Sequence, residues 1–254
     1  MSLYIERRGQ GPDLVLLHGW GMNGAVWHSF AEWLEQDFCL HLVDLPGFGE
    51  SPALPANASL QDWTQAVLAV MPSQASLLGW SLGGLIATQL AVQQPGRVRH
   101  LVTLASSPKF VAEPDWPGIK PEVLAEFERQ LADDHLQVVN RFLALQAMGS
   151  EHAREDIRRL RDSLSRKPAP DPQALASGLA LLGQGDLRAS LAMLEVPLLR
   201  LYGRLDGLVP RKAAALIDRL APASQSHIEA KASHAPFISH PEATARVIRE
   251  FLLS

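Results

Sequence analysis

The sequence lacks the features that mark several classes of protein. It has one cysteine, Cys39, so no disulfide can form within the chain, and the apolar run around it predicts a buried, unreactive thiol. No apolar run approaches the roughly 18 residues that a membrane-spanning helix needs. The amino terminus also lacks the order of charged, apolar and small residues that makes a secretory signal peptide. These absences favour a cytoplasmic protein with no membrane partner.

An excess of basic charge is lacking as well. The 23 Lys and Arg residues are outnumbered by 27 Asp and Glu residues. The chain therefore lacks the net positive charge typical of nucleic-acid-binding proteins, and we expect no nucleic-acid partner. Metal-ligand spacing is missing among five scattered histidines: His28, His41, His100, His135 and His152. No glycine loop has either common phosphate-binding spacing. The sequence therefore predicts neither a metal nor a cofactor.

What the sequence does contain is an alternation of short β-rich runs, most of them apolar, and longer helical patterns. The runs predict strands at 14–17, 40–45, 76–80, 100–106, 197–203 and 226–231. Helical patterns occur around 25–36, 60–71, 82–94, 211–220 and 241–253. Because most of the predicted strands are nearly continuously apolar, we expect a mostly parallel central sheet flanked by helices, an α/β architecture.

This alternation stops once, between residues 109 and 185. Four helical stretches replace it, with starts and stops typical of helices, at 121–132, 134–148, 151–166 and 172–182. The strand pattern resumes after residue 186. We therefore predict one α/β core formed by 1–108 and 186–254, with an all-helical cap at 109–185 inserted between two strands.

The pentapeptide Gly79-Trp80-Ser81-Leu82-Gly83 has the pattern G-x-S-x-G. It follows an apolar strand and opens an apolar helix. That strand–turn–helix setting is typical of a nucleophilic serine, whose sharp turn needs small neighbours. Ser81 is the predicted nucleophile.

A serine hydroxyl needs a base, and the base needs a third group to hold it. In this fold the chain order is serine, acid, histidine, with both partners just beyond strand ends. Asp206 and His234 occupy those places. His227 lies inside a strand pattern and His240 at a helix entry, so we favour His234 over both as the base.

Acyl transfer also requires hydrogen-bond donors for an oxyanion. The backbone N–H of Leu82 is one candidate, and that of Trp20, in the loop after an early strand, is the other. His18 is expected to shape this loop by hydrogen bonding. Asp44 precedes Ser81, the wrong order for the acid, and is therefore expected to be structural.

Several longer segments resemble one family in particular. They include LVLLHGWGMNGAVW (14–27), LLGWSLGGL (77–85), DWPGIKP (115–121), RFLALQAMG (141–149) and KASHAPFISHP (231–241). Together they resemble the pimeloyl-[acyl-carrier protein] methyl ester esterases of biotin synthesis, which have the α/β-hydrolase fold. The segments 115–121 and 141–149 make the resemblance specific, because they lie in the cap, where hydrolases differ most.

This resemblance implies a serine carboxylesterase that removes the methyl ester while the pimeloyl chain is attached to acyl carrier protein. The catalytic residues of the family fall on Ser81, Asp206 and His234. Its substrate-binding residues fall on Trp20, Leu82, Phe142, Leu143, Ala144, Leu145 and Gln146. Its carrier-binding arginines fall on Arg141, Arg154 and Arg158, whereas a fourth position is Gln137, which suggests one missing ionic contact. We expect a monomer.

Helical periodicity gives an independent and weaker indication for the arginines. In the helix predicted from Glu151, Arg154, Arg158 and Arg161 form a basic stripe beside an apolar one, and the acidic residues fall mostly on the other side. A solvated face with intrahelical ion pairs explains the same pattern.

Three alternative functions remain open. A broad carboxylesterase, or a lactone or C–C bond hydrolase, would use the same triad under a different cap. A non-catalytic ligand-binding protein on this fold would often have lost triad members, and here all three are present. A dehalogenase or epoxide hydrolase would need an aspartate in place of Ser81.

Overall fold

The computed structural model describes residues 2–254, so Met1, which belongs to the core predicted at 1–108, lies outside the described residues. Seven strands form one sheet: β1 (Ile5–Arg8), β2 (Asp13–Leu17), β3 (Cys39–Val43), β4 (Ala75–Trp80), β5 (Val98–Leu104), β6 (Leu198–Gly203) and β7 (Gln225–Glu229). Their order is β1-β3-β2-β4-β5-β6-β7, with β1 antiparallel to β3 and every other neighbouring pair parallel. The predicted sheet is confirmed. The six predicted strands omit β1, whose sequence IERR has no apolar run.

Eleven α-helices accompany the sheet over the same residues: α1 (His28–Ala31), α2 (Leu60–Leu68), α3 (Leu82–Gln93), α4 (Pro121–Leu131), α5 (His135–Gln146), α6 (Ala153–Leu164), α7 (Pro172–Gln184), α8 (Arg188–Leu191), α9 (Arg211–Leu220), α10 (Pro236–Ser239) and α11 (Pro241–Leu252). The predicted helix at 25–36 is instead a 3₁₀ turn at Gly24–Trp27 followed by α1. In residues 2–254 no helix combines the length and apolarity required to cross a bilayer.

The four helices α4 to α7 lie between β5 and β6, as the sequence predicts for an all-helical cap. An antiparallel bridge joins Lys109 to Asp186, so the two ends of the insertion meet. The Lys109 ammonium lies 3.1 Å from a Glu113 carboxylate oxygen and 3.5 Å from an Asp186 oxygen. The boundaries at 109 and 185 stay a prediction, and the bridge lies where they place the base of the cap.

A buried ion pair holds the far side of the cap on the core. The Nζ atom of Lys167, between α6 and α7, lies 2.8 Å from a carboxylate oxygen of Asp44, and the two side chains are 8% and 0% exposed. Asp44 also accepts hydrogen bonds from the N–H groups of Gly24, at 2.6 Å, and Glu50, at 2.9 Å. Asp44 is therefore fully partnered, in keeping with its expected structural role.

Replacing Lys167 with Met should lower the free energy of unfolding by about 3 kcal/mol, because a buried carboxylate would lose its counter-charge. Urea denaturation measures this loss. Lys231→Met is the matched control, since Lys231 and Glu151 form an exposed pair between core and cap, 3.8 Å apart and 65% and 62% exposed. That control should lose about 1 kcal/mol at most. Equal losses in the two variants would contradict the proposed importance of the buried pair.

Candidate active site

Ser81 forms the sharp turn between β4 and α3. Its backbone lies in a sparsely populated region, with φ 54° and ψ −119°. Such strain persists only where the surroundings hold the chain, and here β5 does so. The Ser81 N–H donates to Leu104 O at 2.9 Å, and the Ser106 hydroxyl donates to Ser81 O at 2.8 Å.

The two glycines of the pentapeptide are required by close backbone packing. A Cβ atom on Gly79 would lie 2.3 Å from the carbonyl oxygen of Gly83. A Cβ atom on Gly83 would lie 2.3 Å from the carbonyl oxygen of Leu17, at the end of β2. Larger residues would therefore push the turn away from the sheet, which explains the G-x-S-x-G pattern sterically.

The structure brings Ser81, His234 and Asp206 together at the carboxyl ends of the strands. Nε2 of His234 lies 2.9 Å from the Ser81 hydroxyl oxygen, and Nδ1 lies 2.8 Å from Asp206 Oδ2. The other carboxylate oxygen of Asp206 accepts from the N–H groups of Leu208, at 2.8 Å, and Val209, at 3.0 Å. All three side chains are buried. This geometry allows His234 to take the serine proton while Asp206 fixes the ring.

The loop that carries His234 is held from two directions. The Trp80 indole N–H donates to the backbone oxygen of His234 at 2.9 Å. The N–H of His234 donates to Gln146 O in the cap at 3.1 Å. The alternatives lie elsewhere: His227 is in β7 and His240 caps α11, and within residues 2–254 neither bonds to Ser81 or Asp206.

The two predicted oxyanion donors flank the nucleophile. Trp20 and Leu82 are fully buried, and in the described part of the chain no group accepts a hydrogen bond from either backbone N–H. Buried N–H groups are normally paired, so two free ones beside Ser81 indicate a position for a substrate oxygen. A Cβ atom on Gly19 would lie 3.2 Å from Ser81 Cβ, which shows how closely this loop approaches the nucleophile.

His18 fixes the same loop in its neutral form. Its Nε2 accepts from the N–H of Leu45 at 3.0 Å, so Nδ1 carries the proton and donates to Gly19 O at 2.8 Å. Burial lowers the pKa of His18 to about 4, because the charged imidazolium would lose its hydration. His18 therefore stays neutral near pH 7, in line with the shaping role expected from the sequence.

The cap closes over this site with apolar side chains. Of the family's substrate segment, Phe142, Leu143 and Gln146 are buried, Leu145 is half-buried and Ala144 is exposed. This split follows from helix geometry, because five consecutive residues of α5 cannot share one face. The Phe142 ring packs edge-on against Trp20, with centroids 4.8 Å apart.

Gln146 is the residue whose environment the sequence alone could not indicate. Its side-chain nitrogen and oxygen are both buried, and neither has a hydrogen-bond partner within residues 2–254. Its backbone oxygen binds His234. An unpaired buried amide costs about 1–3 kcal/mol, so a free donor and acceptor on the residue that holds the His234 backbone suggest a contact with substrate.

The predicted basic stripe occupies the outer surface of the cap. Arg154 and Arg158 are exposed on α6, and Arg158 lies 4.0 Å from a Glu155 oxygen. Arg161 donates to Asn140 Oδ1 on α5 at 2.9 Å, and Arg141, also on α5, donates to the Gln130 side chain. Arg161 therefore links α6 to α5, whereas Arg141 contacts α4.

One acidic residue of α6, Asp156, is not part of an exposed acidic face. Asp156 is buried, and it accepts a hydrogen bond from the Ser150 hydroxyl at 2.6 Å, so it stabilises the turn that precedes the helix. Ion pairs within α6, which would explain the basic stripe without a partner protein, are present in part: Arg159 lies 2.6 Å from Glu155. Arg154, in contrast, has no carboxylate within 4 Å in the described residues.

Comparison with known proteins fits this geometry. Residues 12–241 match a family model described as the alpha/beta hydrolase fold. An Aeromonas salmonicida protein named pimeloyl-[acyl-carrier protein] methyl ester esterase is 56% identical over 253 residues, covering 99% of this chain and 100% of its own. The chain belongs to this esterase family. Two further members, from Photobacterium profundum and Serratia marcescens, are each 53% identical to this chain. Each match covers 99% of this chain and 98% of the relative.

Solved structures show how widely the same fold is used. An esterase from Exiguobacterium antarcticum superposes with a TM-score of 0.88 at 21% identity, over 99% of this chain and 96% of its own. A bromoperoxidase from Bacillus anthracis has the same TM-score at 20% identity, over 99% and 95% of the two chains. At such identities the likeness concerns the fold alone.

The cap helix α7 touches both candidate oxyanion residues, which gives a direct test. A Cβ atom on Gly178 would lie 2.9 Å from Trp20 Cδ1 and 3.3 Å from Leu82 Cδ2, and the Trp20 indole N–H is fixed to Leu175 O at 2.8 Å. Gly178→Ala should therefore displace the donors and lower kcat for a small chromogenic ester by about tenfold.

Gly183→Ala in the same helix is the matched control. Its added methyl group would meet Leu124 Cδ2 at 3.6 Å and Glu128 Oε1 at 4.0 Å, both ordinary contacts. This variant should keep its kcat and gain about 0.5–1 kcal/mol of stability from the helical alanine. A normal kcat in Gly178→Ala would show that α7 does not position the donors.

Proposed function

We propose that this protein is a serine carboxylesterase that hydrolyses the methyl ester of pimeloyl-acyl carrier protein in biotin synthesis. The products are pimeloyl-acyl carrier protein and methanol. The observation that carries this proposal is the hydrogen-bonded, buried array of Ser81, His234 and Asp206. It occurs in a chain whose relatives of 52–56% identity, matched over nearly their full length, bear this name.

The first half of the reaction forms an acyl-enzyme. His234 Nε2 removes the proton from the Ser81 hydroxyl as its oxygen attacks the carbonyl carbon of the methyl ester. Asp206 holds the proton-bearing Nδ1 and stabilises the imidazolium that results. The N–H groups of Leu82 and Trp20 bind the oxyanion of the tetrahedral intermediate.

Collapse of that intermediate breaks the bond to the methoxy oxygen. The imidazolium of His234 gives its proton to this oxygen, so methanol leaves as a neutral molecule. Water then attacks the acyl-enzyme, with His234 again as the base. The second intermediate releases the free carboxyl group of the pimeloyl chain and restores the Ser81 hydroxyl.

The cap suits a long methylene chain with a polar group at its reacting end. Phe142 and Leu143 are buried apolar side chains of α5, and the Phe142 ring contacts Trp20. Burial of each methylene group contributes about 0.8 kcal/mol to binding. The free amide of Gln146 offers a hydrogen-bond donor and an acceptor inside this apolar surround. We infer that it binds a substrate oxygen.

The same proposal assigns the outer face of the cap to the carrier protein. Arg141, Arg154 and Arg158 would attract an acidic partner, and the exposed position of all three leaves them accessible. Surface attraction of this kind acts mainly on association and weakens with salt. Gln137, exposed on α5, supplies no charge at the fourth family position.

Mass spectrometry of methyl pimeloyl-acyl carrier protein incubated with the enzyme tests the activity. We expect loss of the methyl group, while the acyl chain stays on its carrier. Ser81→Ala should abolish the reaction without changing the fold, since it removes the nucleophile alone. Circular dichroism checks that the variant is folded.

Two results would contradict this proposal. Equal rates on the carrier-linked ester and on the same ester without its carrier would indicate a broad carboxylesterase. No reaction of native protein with a fluorophosphonate probe would indicate a ligand-binding protein that lacks an active serine.

Reversing the charges of Arg154 and Arg158 to Glu should raise KM for the carrier-linked ester about tenfold or more at low salt and leave hydrolysis of a small ester unchanged. The control reverses two exposed arginines of α9, Arg211 and Arg219, which changes the net charge equally. It should leave both substrates unaffected. Equal losses on both substrates in the α6 variant would show the stripe to be structural.

A further inference from the structure

A second group of reactive side chains lies at the opposite edge of the sheet from Ser81. Asp13 begins β2 and Cys39 begins β3, so both stand at the amino ends of parallel strands, whereas the catalytic residues follow the carboxyl ends. Asp13 pairs directly with Cys39 in the ladder, and His41 is two residues further along β3. Alternation along a strand therefore puts Cys39 and His41 on the same face, beside Asp13.

Three potential ligand atoms converge on one point at this edge. His41 Nε2 lies 2.6 Å from Asp13 Oδ1 and 3.7 Å from Cys39 Sγ. The three atoms lie within 4.8 Å of one another. Cys39 and His41 are buried, whereas the Asp13 side chain is 34% exposed, which leaves one side of the group open to water.

This arrangement differs in kind from the catalytic array. His234 uses its two ring nitrogens for two different partners, as a proton relay requires. In His41 the carboxylate and the sulfur both approach the same nitrogen, Nε2, and one N–H cannot serve both well. A sulfur, a nitrogen and an oxygen atom within 4.8 Å of one another are close enough to bind one metal ion together.

The structure therefore points to a site that the spacing of the sequence does not indicate. We propose that Asp13, Cys39 and His41 bind a Zn²⁺ ion, with a fourth position open to water. Thiolate, imidazole and carboxylate are the three ligand types that Zn²⁺ takes in proteins. Mg²⁺ and Ca²⁺ prefer oxygen ligands alone and would not favour this set.

The distances suit a tetrahedral ion after one small movement. Zn–N and Zn–S bonds of about 2.0–2.3 Å place two tetrahedral ligands about 3.5 Å apart. The separation of 3.7 Å between Cys39 Sγ and His41 Nε2 is close to that value. The Asp13 oxygen, at hydrogen-bond distance from His41, must withdraw by somewhat less than 1 Å. Its partly exposed side chain has room to do so.

Arg7 is the charged neighbour that opposes a cation here. It pairs with His41 across β1 and β3, and its guanidinium donates to Cys39 Sγ at 3.5 Å. The positive guanidinium repels Zn²⁺. Because Arg7 is exposed, it can swing into solvent when an ion binds. Removing its charge should strengthen binding.

Calorimetric titration of the chelator-treated full chain with Zn²⁺ tests the proposal. We expect one ion per chain, no binding of Mg²⁺, and a rise in Tm with Zn²⁺ concentration. Cys39→Ser and His41→Gln should each weaken binding at least about tenfold, since even outer partners of metal ligands contribute that much. Co²⁺ in place of Zn²⁺ should give a sulfur-to-cobalt absorption band that Cys39→Ser abolishes.

Two further variants sharpen the test. Arg7→Gln should bind Zn²⁺ more tightly than the native chain. His28→Gln is the matched control, because His28 also contacts a carboxylate, that of Glu6 at 2.8 Å, but has no thiol beside it; it should bind Zn²⁺ normally. Absence of saturable binding, or equal binding by native protein and Cys39→Ser, would overturn the proposal and leave only a hydrogen-bonded cluster.

Discussion

The imidazole of His234 is the point on which the arrangement of the active site depends. Its ring reaches Ser81 at the end of β4 and Asp206 after β6, and its backbone is held by Trp80 from the core and by Gln146 from the cap. Three separate parts of the chain, at residues 80–81, 146 and 206, therefore fix His234. Because its ring is fully buried, these bonds act without competition from water, and a shift in any of the three parts would move the imidazole.

Through the same contacts the cap holds the site residues as well as covering them. Helix α5 supplies the carbonyl that orients the His234 loop, and α7 supplies the Leu175 carbonyl that fixes the Trp20 indole. The buried pair of Lys167 and Asp44 in turn holds the cap on the core. Differences between caps among hydrolases of this fold can therefore change the geometry of the reacting groups as well as the shape of the pocket.

The two edges of the sheet have different roles. At the carboxyl edge, strand ends and the turns that follow them bring Ser81, Asp206 and His234 together from distant positions in the chain, and ligands generally bind at this edge of parallel sheets. At the amino edge, the register of β2 against β3 aligns Asp13 with Cys39 and places His41 on the same face. Cys39 was expected to be an unreactive thiol on the evidence of its apolar run. Its neighbours in the ladder, which no local pattern encodes, give it a different chemical environment.

The sequence by itself determined the parts of this protein that depend on local order. Short β-rich runs predicted six of the seven strands, and the G-x-S-x-G turn predicted Ser81 as the nucleophile, because strand, turn and helix propensities act over a few residues. Tertiary structure decided the buried Gln146 amide, the Lys167–Asp44 pair and the burial of Asp156. Each of these depends on which surfaces meet when the cap folds and packs. The Lys167–Asp44 pair joins residues far apart in the chain, and neither periodicity nor spacing predicts it.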